Sequence, residues 1–332
     1  MKKTARLRLT YRMEDNSLQQ CRDQKSSANE ALEVLSSVEE AAADPHIDAN
    51  ATPNLQNLLG ELDKLVGLNN VKELVREIRA YVEISRRRER FQLKNDCLVL
   101  HMVFKGNPGT GKTTVARILG KMMAEMDVLP KGHLIEAERA DLVGEFIGHT
   151  AQKTKELLKK AMGGILFIDE AYALARGGEK DFGKEAIDTL VKAMEDHKDE
   201  LILILAGYER EMEKFLRTNP GLRSRFPIHL DFPDYSREEL LQIAIMMVKE
   251  RQYQLSAGAL DFLQKHLQNQ TEEKQLNFSN ARLVRNIVER AIRRQALRLV
   301  DRRIYSRDEL MTIQREDLQP GEDENTFWTL PN

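Results

Sequence analysis

Residues 106–114 read Gly106-Asn107-Pro108-Gly109-Thr110-Gly111-Lys112-Thr113-Thr114. They fit the pattern G-x-x-x-x-G-K-[ST], which joins a strand to a helix in nucleotide-binding loops. An apolar run over 98–104 precedes the motif, and a helical pattern over 113–126 follows it. The glycines let backbone N–H groups curl around phosphate oxygens. Lys112 is expected to reach the β- and γ-phosphates and the Thr113 hydroxyl to complete the Mg²⁺ shell. The loop 107–114 is therefore predicted to bind ATP with Mg²⁺.

A second apolar run ends in two carboxylates. Residues 165–168 are typical of a buried strand, and Asp169 and Glu170 follow it directly. Because the carboxyl ends of parallel strands share one edge of a sheet, both acids are expected beside the phosphate loop. Asp169 is predicted to hold Mg²⁺, and Glu170 to polarise the attacking water in a reaction that Lys112 assists. By themselves, the two acids could instead cap the next helix.

The chain around these motifs alternates short apolar runs with amphipathic stretches. This alternation predicts βαβ units and an α/β fold with a parallel sheet of five strands. After Pro233 the strand pattern fades, and three helical patterns predict a small helical domain. The strands are expected at 98–104, 133–137, 165–168, 201–206 and 228–232, and the later helices at 237–251, 257–267 and 281–300.

The predicted domain boundaries follow from these patterns. The first segment is polar and is interpreted as a flexible or weakly helical arm, with a docking segment for a partner as the alternative. The boundaries are a polar arm at 1–54, an α/β domain at 55–233, a helical domain at 234–318 and a polar tail at 319–332.

Composition restricts the function and the compartment. The 51 basic and 53 acidic residues leave a net charge of -2, so no chain-wide field attracts nucleic acid or an anionic membrane. The two cysteines, Cys21 and Cys97, fit no zinc spacing and indicate neither a disulfide framework nor an oxidising compartment. No apolar run is long enough to span a bilayer, and no secretion signal is evident. A cytoplasmic protein is expected.

Together these elements resemble an AAA+ ATPase, in which an α/β P-loop domain precedes a small α-helical lid. The resemblance covers about residues 55–318 and implies ATP hydrolysis. Long stretches also resemble a narrower branch, the bacterial stage V sporulation protein K group, which is related to the red-type rubisco activases and implies a role in spore formation. These stretches are 104–112, 131–145 and 177–186.

The resemblance assigns further contacts with the nucleotide. Leu65, Val66 and Gly67 lie in a turn similar to the one that cradles adenine, although a plain helix–helix turn is the alternative. Arg282 corresponds to the lid arginine of the sensor 2 position, with a solvated helix charge as the alternative. At sensor 1 the chain departs from the family, because Tyr208 follows the strand where Asn or Thr is common. Tyr208 could still order water through its hydroxyl.

The resemblance also implies that the chain acts as a ring. Arg225 is expected to reach the γ-phosphate of a neighbouring subunit, with Arg223 as the competing candidate, and a surface arginine as the alternative for either. Phe146 and Ile147 resemble the central-pore loop with which hexameric AAA+ proteins contact a peptide; a buried loop is the alternative.

The function implied is therefore that of a homo-oligomeric, hexameric chaperone that remodels a client protein of unknown identity. A nucleotide-gated switch or assembly scaffold without threading is the second hypothesis. A nucleic-acid motor is the third; the basic helix at 282–298 favours it, whereas the aromatic content of 6% offers few stacking platforms.

Overall fold

The computed structural model describes residues 53–95, 99–146, 148–177, 182–272, 278–302 and 306–319. The predicted arm and tail fall almost wholly outside these residues, as do Ile147 and both cysteines. Within the described part of the chain, no helix is both long enough and apolar enough to cross a membrane.

A five-stranded parallel sheet forms the centre of the first domain, as predicted. Every neighbouring pair is parallel, so each strand is followed by a crossover and all five carboxyl ends lie at one edge. The strands are β1 Met102–Gly106, β2 Leu134–Ala137, β3 Ile165–Ile168, β4 Ile202–Gly207 and β5 Ile228–Phe232, in the order β2-β3-β4-β1-β5.

Strand β1 begins later than the apolar run suggested. The run starts at residue 98, but the ladder begins where Met102 pairs with Ile204 of β4 and Ile228 of β5. Since β5 itself begins at Ile228, the register leaves earlier residues without a partner on that side. Val99 and Leu100 therefore precede the ladder.

Helices form the crossovers and precede the sheet. The helices alternate with the strands in the way that the sequence pattern predicted. The apolar residues of each helical pattern lie on the buried face of its helix. They are α1 Pro53–Lys64, α2 Asn69–Arg90, α3 Lys112–Glu125, α4 Arg139–Leu142, α5 His149–Ala161, α6 Gly183–Asp196, α7 Glu209–Thr218 and α8 Pro220–Arg223, with a 3₁₀ turn at Ala171–Ala175.

The core lies on both faces of the sheet. Strands β3 and β4 are buried along their whole length, which explains why they appear in the sequence as unbroken apolar runs. Leu166 and Leu203 pack with the helices of one face. Phe104 contacts Phe167 and Phe232 instead, with ring centroids 6.4 and 4.9 Å apart. Alternate residues of the strands thus stabilise opposite layers.

The second domain is helical, as predicted, and has its own core. Ser236 caps α9 in a reciprocal box with Glu239, which fixes where that helix begins. A two-stranded parallel ladder also joins β6 and β7, and the sequence pattern did not indicate it. The elements are α9 Arg237–Glu250, β6 Gln254–Leu255, α10 Ala257–Glu272, α11 Asn280–Val300, α12 Arg307–Met311, β7 Thr312–Ile313 and α13 Arg315–Leu318.

Candidate nucleotide-binding site

The phosphate-loop motif forms the turn between β1 and α3. Gly109 and Gly111 have φ angles of 74° and 96°, in the left-handed region that favours glycine. A Cβ at Gly106 would lie 2.2 Å from the carbonyl oxygen of Phe232, so the loop approaches β5 too closely for a side chain. Gly111 occupies the N-cap position of α3, and the first N–H groups of a helix have no partner within the helix. The loop is therefore shaped as an anion cradle.

Lys112 lies inside this cradle with 9% of its surface exposed. Its Nζ donates to the carbonyl oxygens of Gly106 and Asn107, both at 2.8 Å. An ammonium has three N–H donors, and the third has no acceptor among the described residues. Burial lowers the pKa of Lys112, while the nearby Asp169 carboxylate opposes that change. A phosphate oxygen would accept a hydrogen bond from the third N–H, and its negative charge would stabilise the buried ammonium.

The two acids after β3 lie at the same edge. The Glu170 N–H donates to Asp169 Oδ1 at 3.0 Å, and the Asp169 N–H donates to the Ala137 carbonyl oxygen at 2.9 Å. Glu170 has φ 46° and ψ 42°, a backbone conformation that costs a non-glycine residue about 1 kcal/mol or more. It stands at the N-cap of the 3₁₀ turn, but its side chain makes no capping hydrogen bond within the described chain. Helix capping therefore does not account for it.

A cavity of about 690 Å³ opens at this edge of the sheet, between the two domains. Its volume falls in the range of roughly 300–1,000 Å³ that is usual for small-molecule sites. Residues from every predicted nucleotide motif line it. They are Leu65, Val66, Pro108, Gly109, Gly111, Lys112, Thr113, Thr114, Asp169, Glu170, Tyr208 and Arg282.

Three other residues that were predicted to contact the nucleotide do not line the cavity. Asn107, Thr110 and Gly67 belong to the same loops but do not line the cavity themselves. Thr110 instead directs its hydroxyl to the Asn107 carbonyl oxygen at 2.8 Å, which tightens the loop. The sequence did not single out other residues of the cavity, which include Glu138, Tyr235, Ile243 and Met247.

The predicted adenine segment is the turn between α1 and α2. Gly67 and Leu68 are both left-handed, with φ angles of 65° and 56°. A Cβ at Gly67 would lie 2.4 Å from Glu239 Oε1, so the turn packs closely on α9 of the second domain. Leu65 and Val66 face the same cavity as Ile243. Apolar side chains of this kind suit the face of a flat base, and the adenine contact stays a prediction.

Hydrogen bonds join the phosphate loop to the second domain. Asn107 Nδ2 donates to both carboxylate oxygens of Asp234, at 2.9 and 3.0 Å. Asn280 Nδ2 donates to Asp234 Oδ1 at 2.7 Å, and Asn280 Oδ1 accepts from the Tyr235 N–H at 2.9 Å. Asn280 is fully buried with φ 47°, two residues before Arg282. This network of Asn107, Asp234 and Asn280 fixes the start of α11, and so the side of the cavity from which Arg282 enters.

Tyr208 follows β4 at the cavity wall. Burial, followed by the charge of Glu170, raises the pKa of its hydroxyl above the ordinary value. The hydroxyl therefore stays protonated and able to donate at neutral pH. Its role as sensor 1 stays a prediction.

Arg225 lies away from the cavity of its own chain. Its Nε donates to Glu195 Oε1 at 3.1 Å, its Nη2 forms an ion pair with the same carboxylate, and its Nη1 donates to the Gly221 carbonyl oxygen at 2.7 Å. Arg223 is exposed, and no partner for it occurs in the part of the chain that the structure describes. Arg225, which was predicted to reach the nucleotide of a neighbouring subunit, is thus paired within its own chain. Its role stays a prediction.

Phe146 lies in the loop between α4 and α5. Its side chain is 64% exposed, and its ring meets the edge of His149 with centroids 5.5 Å apart. Gly148, with φ 83°, and a hydrogen bond from the Gly144 N–H to Thr150 Oγ1 shape the base of the loop. The exposure of Phe146 agrees with a surface contact rather than a buried anchor.

Two family profiles match the chain. The profile described as "ATPase family associated with various cellular activities (AAA)" matches residues 102–234, and that of the AAA lid domain matches residues 236–327. The matches meet at the Asp234 segment, where the hydrogen-bond network joins the two domains.

Relatives over most of the chain agree with these profiles. "Stage V sporulation protein K" of Bacillus subtilis (strain 168) is 58% identical over 81% of this chain and 84% of the relative. The chloroplastic "Ribulose bisphosphate carboxylase/oxygenase activase" of Cyanidioschyzon merolae (strain NIES-3377 / 10D) is 47% identical over 80% and 91%. "Protein CfxQ" of Xanthobacter flavus is 45% identical over 84% and 89%.

A solved structure shares the fold. It is the RuvB Holliday junction branch migration motor of Thermotoga maritima, with a TM-score of 0.50 and 21% identity over 77% of this chain and 69% of that one. At this identity the likeness concerns the fold alone.

Proposed function

Since this chain belongs to the AAA family of ATPases, and within it to the group of stage V sporulation protein K and the CfxQ proteins, we propose that it binds ATP with Mg²⁺ and hydrolyses ATP to ADP and phosphate. The observation that carries the proposal is Lys112, a buried ammonium with one N–H left for a ligand, in the same cavity as the Asp169 carboxylate. A triphosphate satisfies this arrangement better than a neutral ligand could.

The oxygen ligands in the cavity suit Mg²⁺. Thr113 offers a hydroxyl and Asp169 a carboxylate, the ligand types that hard divalent cations prefer. When bound, the metal would neutralise charge that develops on the phosphate oxygens. Holding it is the role we assign to Thr113 and Asp169.

Hydrolysis is assigned to the remaining polar groups. Glu170 would take up or orient the proton of the attacking water, because its carboxylate enters the cavity without a capping bond. Arg282 would approach the phosphates from the lid, and Arg225 would do so from a neighbouring subunit once its pair with Glu195 opens. The adenine end is assigned to Leu65, Val66 and Gly67.

We further propose that the chain works as a cytoplasmic homo-oligomeric ring, a hexamer, that remodels a client protein. The support is the exposed Phe146 ring together with an arginine that lies outside its own cavity. The name of the Bacillus subtilis relative supports spore formation as the setting. The net charge of -2 gives no support for nucleic acid as the partner.

Phe146→Ala is expected to abolish client retention while leaving ATP binding unchanged. Client capture would use the Glu170→Gln protein, expected to bind ATP without turnover, and would compare it with the Glu170→Gln, Phe146→Ala protein. Polypeptides held in ATP by the first and lost from the second, by about tenfold or more, are the predicted result, because truncating a central aromatic contact typically costs 2 kcal/mol or more. Mass spectrometry of the eluates measures the difference.

The matched control is the Glu170→Gln, Leu297→Ala protein, because Leu297 is an exposed apolar residue on the lid, at 71%. Equal retention by all three proteins would contradict the pore assignment. It would favour a nucleotide-gated scaffold that binds its partner elsewhere.

A further inference from the structure

Three consecutive carbonyl oxygens of the phosphate loop accept hydrogen bonds from the lid side of the cavity. The donor and acceptor pairs are Asn280 Nδ2 with Pro108 at 3.4 Å, the Ala281 N–H with Gly109 at 3.2 Å, and the Tyr235 hydroxyl with Thr110 at 3.1 Å. The packing is close here, because a Cβ at Gly109 would lie 2.3 Å from the Ser279 carbonyl oxygen. The lid therefore forms the outer wall of the loop.

These bonds fix the orientation of three peptide planes. In a planar trans peptide, the C=O of one residue and the N–H of the next point in opposite directions. Because the three carbonyls are turned towards the lid, the N–H groups of Gly109, Thr110 and Gly111 are turned away from it, to the inner side of the loop. None of these N–H groups has an acceptor among the residues that the structure describes. Consecutive N–H groups of this kind form a concave anion site.

Tyr235 is a well-supported donor in this set. Its ring packs against the core of the lid, and its N–H donates to Asn280 Oδ1 at 2.9 Å. Burial, and after it the charge of Glu239, raises the pKa of Tyr235 to about 12, so the hydroxyl stays protonated at neutral pH. A hydroxyl has one hydrogen to donate, and the Thr110 carbonyl oxygen already accepts it. The Tyr235 hydroxyl therefore acts on the loop and not as a donor to phosphate.

We propose that Tyr235 is a positioning residue for the phosphate loop: its hydroxyl holds the peptide plane between Thr110 and Gly111 so that the Gly111 N–H faces the phosphates. Asn280 and Ala281 act in the same way on the two preceding planes. The lid thus orients the anion site before a nucleotide binds. The inference rests on the proposed ATP binding, and it adds a residue that acts through the loop.

Tyr235→Phe tests the proposal, because phenylalanine keeps the ring in the lid and removes only the hydroxyl. We expect the affinity for a non-hydrolysable ATP analogue with Mg²⁺ to fall about fivefold, as the loss of one neutral hydrogen bond implies. The kcat at saturating ATP should stay unchanged, because the loop binds the ground state and the transition state alike. The matched control is Tyr253→Phe, which removes the hydroxyl of another tyrosine packed against the lid core and should leave the affinity unchanged. Isothermal titration, phosphate release and a thermal melt provide the measurements.

The order of the loop separates positioning from direct contact with the nucleotide. Without nucleotide, the NMR order parameter of the Gly111 amide should be about 0.85 in the unchanged protein and below about 0.6 in Tyr235→Phe, because the released peptide plane can rotate. An unchanged affinity, a weaker affinity with an unchanged order parameter, or a weaker affinity that follows a lower thermal midpoint would each overturn the inference. Failure of the unchanged protein to bind the analogue would instead refute the proposed function, which keeps the two failures distinct.

Discussion

Lys112→Ala is expected to weaken ATP binding by at least about a hundredfold. The ammonium is buried beside the two loop carbonyls and has one N–H left for the ligand. A charge-assisted hydrogen bond to phosphate contributes about 1.5–3 kcal/mol, and an unpaired phosphate charge in the cavity would add to the loss. Isothermal titration with a non-hydrolysable ATP analogue and Mg²⁺ measures the effect.

Lys121→Ala provides the matched control. Lys121 is an exposed lysine on the same helix, α3, so its removal changes the net charge equally without touching the phosphate loop. Its affinity should stay within about twofold of the unchanged protein. Comparable affinities for the two variants would show that the phosphates do not lie at Lys112.

Glu170→Gln is expected to lower kcat by about a thousandfold while ATP still binds. General-base groups contribute roughly 10²–10⁴ to a rate, and an amide cannot accept the proton that a carboxylate accepts. Binding should survive because Glu170 is an anion and supplies no attraction for a triphosphate. Phosphate release under saturating ATP gives the rate, and titration gives the affinity.

Glu289→Gln is the corresponding control. Glu289 lies on the surface of the lid helix α11, where its carboxylate is 4.0 Å from Arg251. This variant should retain the full rate. A Glu170→Gln protein that also retained it would place the general base elsewhere, and one that lost binding as well would make Glu170 a structural residue.

Short contiguous motifs account for what the sequence could predict. The phosphate loop and the pair Asp169 and Glu170 are each recognised from neighbouring residues, and each follows an apolar run of the sequence. Because β3 and β4 are buried on both faces, their residues form unbroken apolar runs, which predicted the five-stranded sheet. The confirmed helical second domain followed from apolar residues at helical spacing.

Features that depend on distant residues were missed for a physical reason. Asn107 of the phosphate loop bonds with Asp234 across 127 positions of the chain, and no local pattern marks Asp234. The ladder of β6 and β7 has two residues in each strand, too few to show any periodicity. The pair of Arg225 with Glu195 arises only because the residues that follow α8 lie beside the end of α6. Such contacts are products of tertiary packing.

Determining a structure of the chain with Mg²⁺ and a non-hydrolysable ATP analogue tests the central claim most directly. The account predicts the γ-phosphate within hydrogen-bond distance, about 2.7–3.2 Å, of Lys112 Nζ, and Mg²⁺ about 2.1 Å from Thr113 Oγ1 on the Asp169 side. A nucleotide bound outside the cavity at the carboxyl edge of the sheet, or phosphates turned away from Lys112, would contradict it.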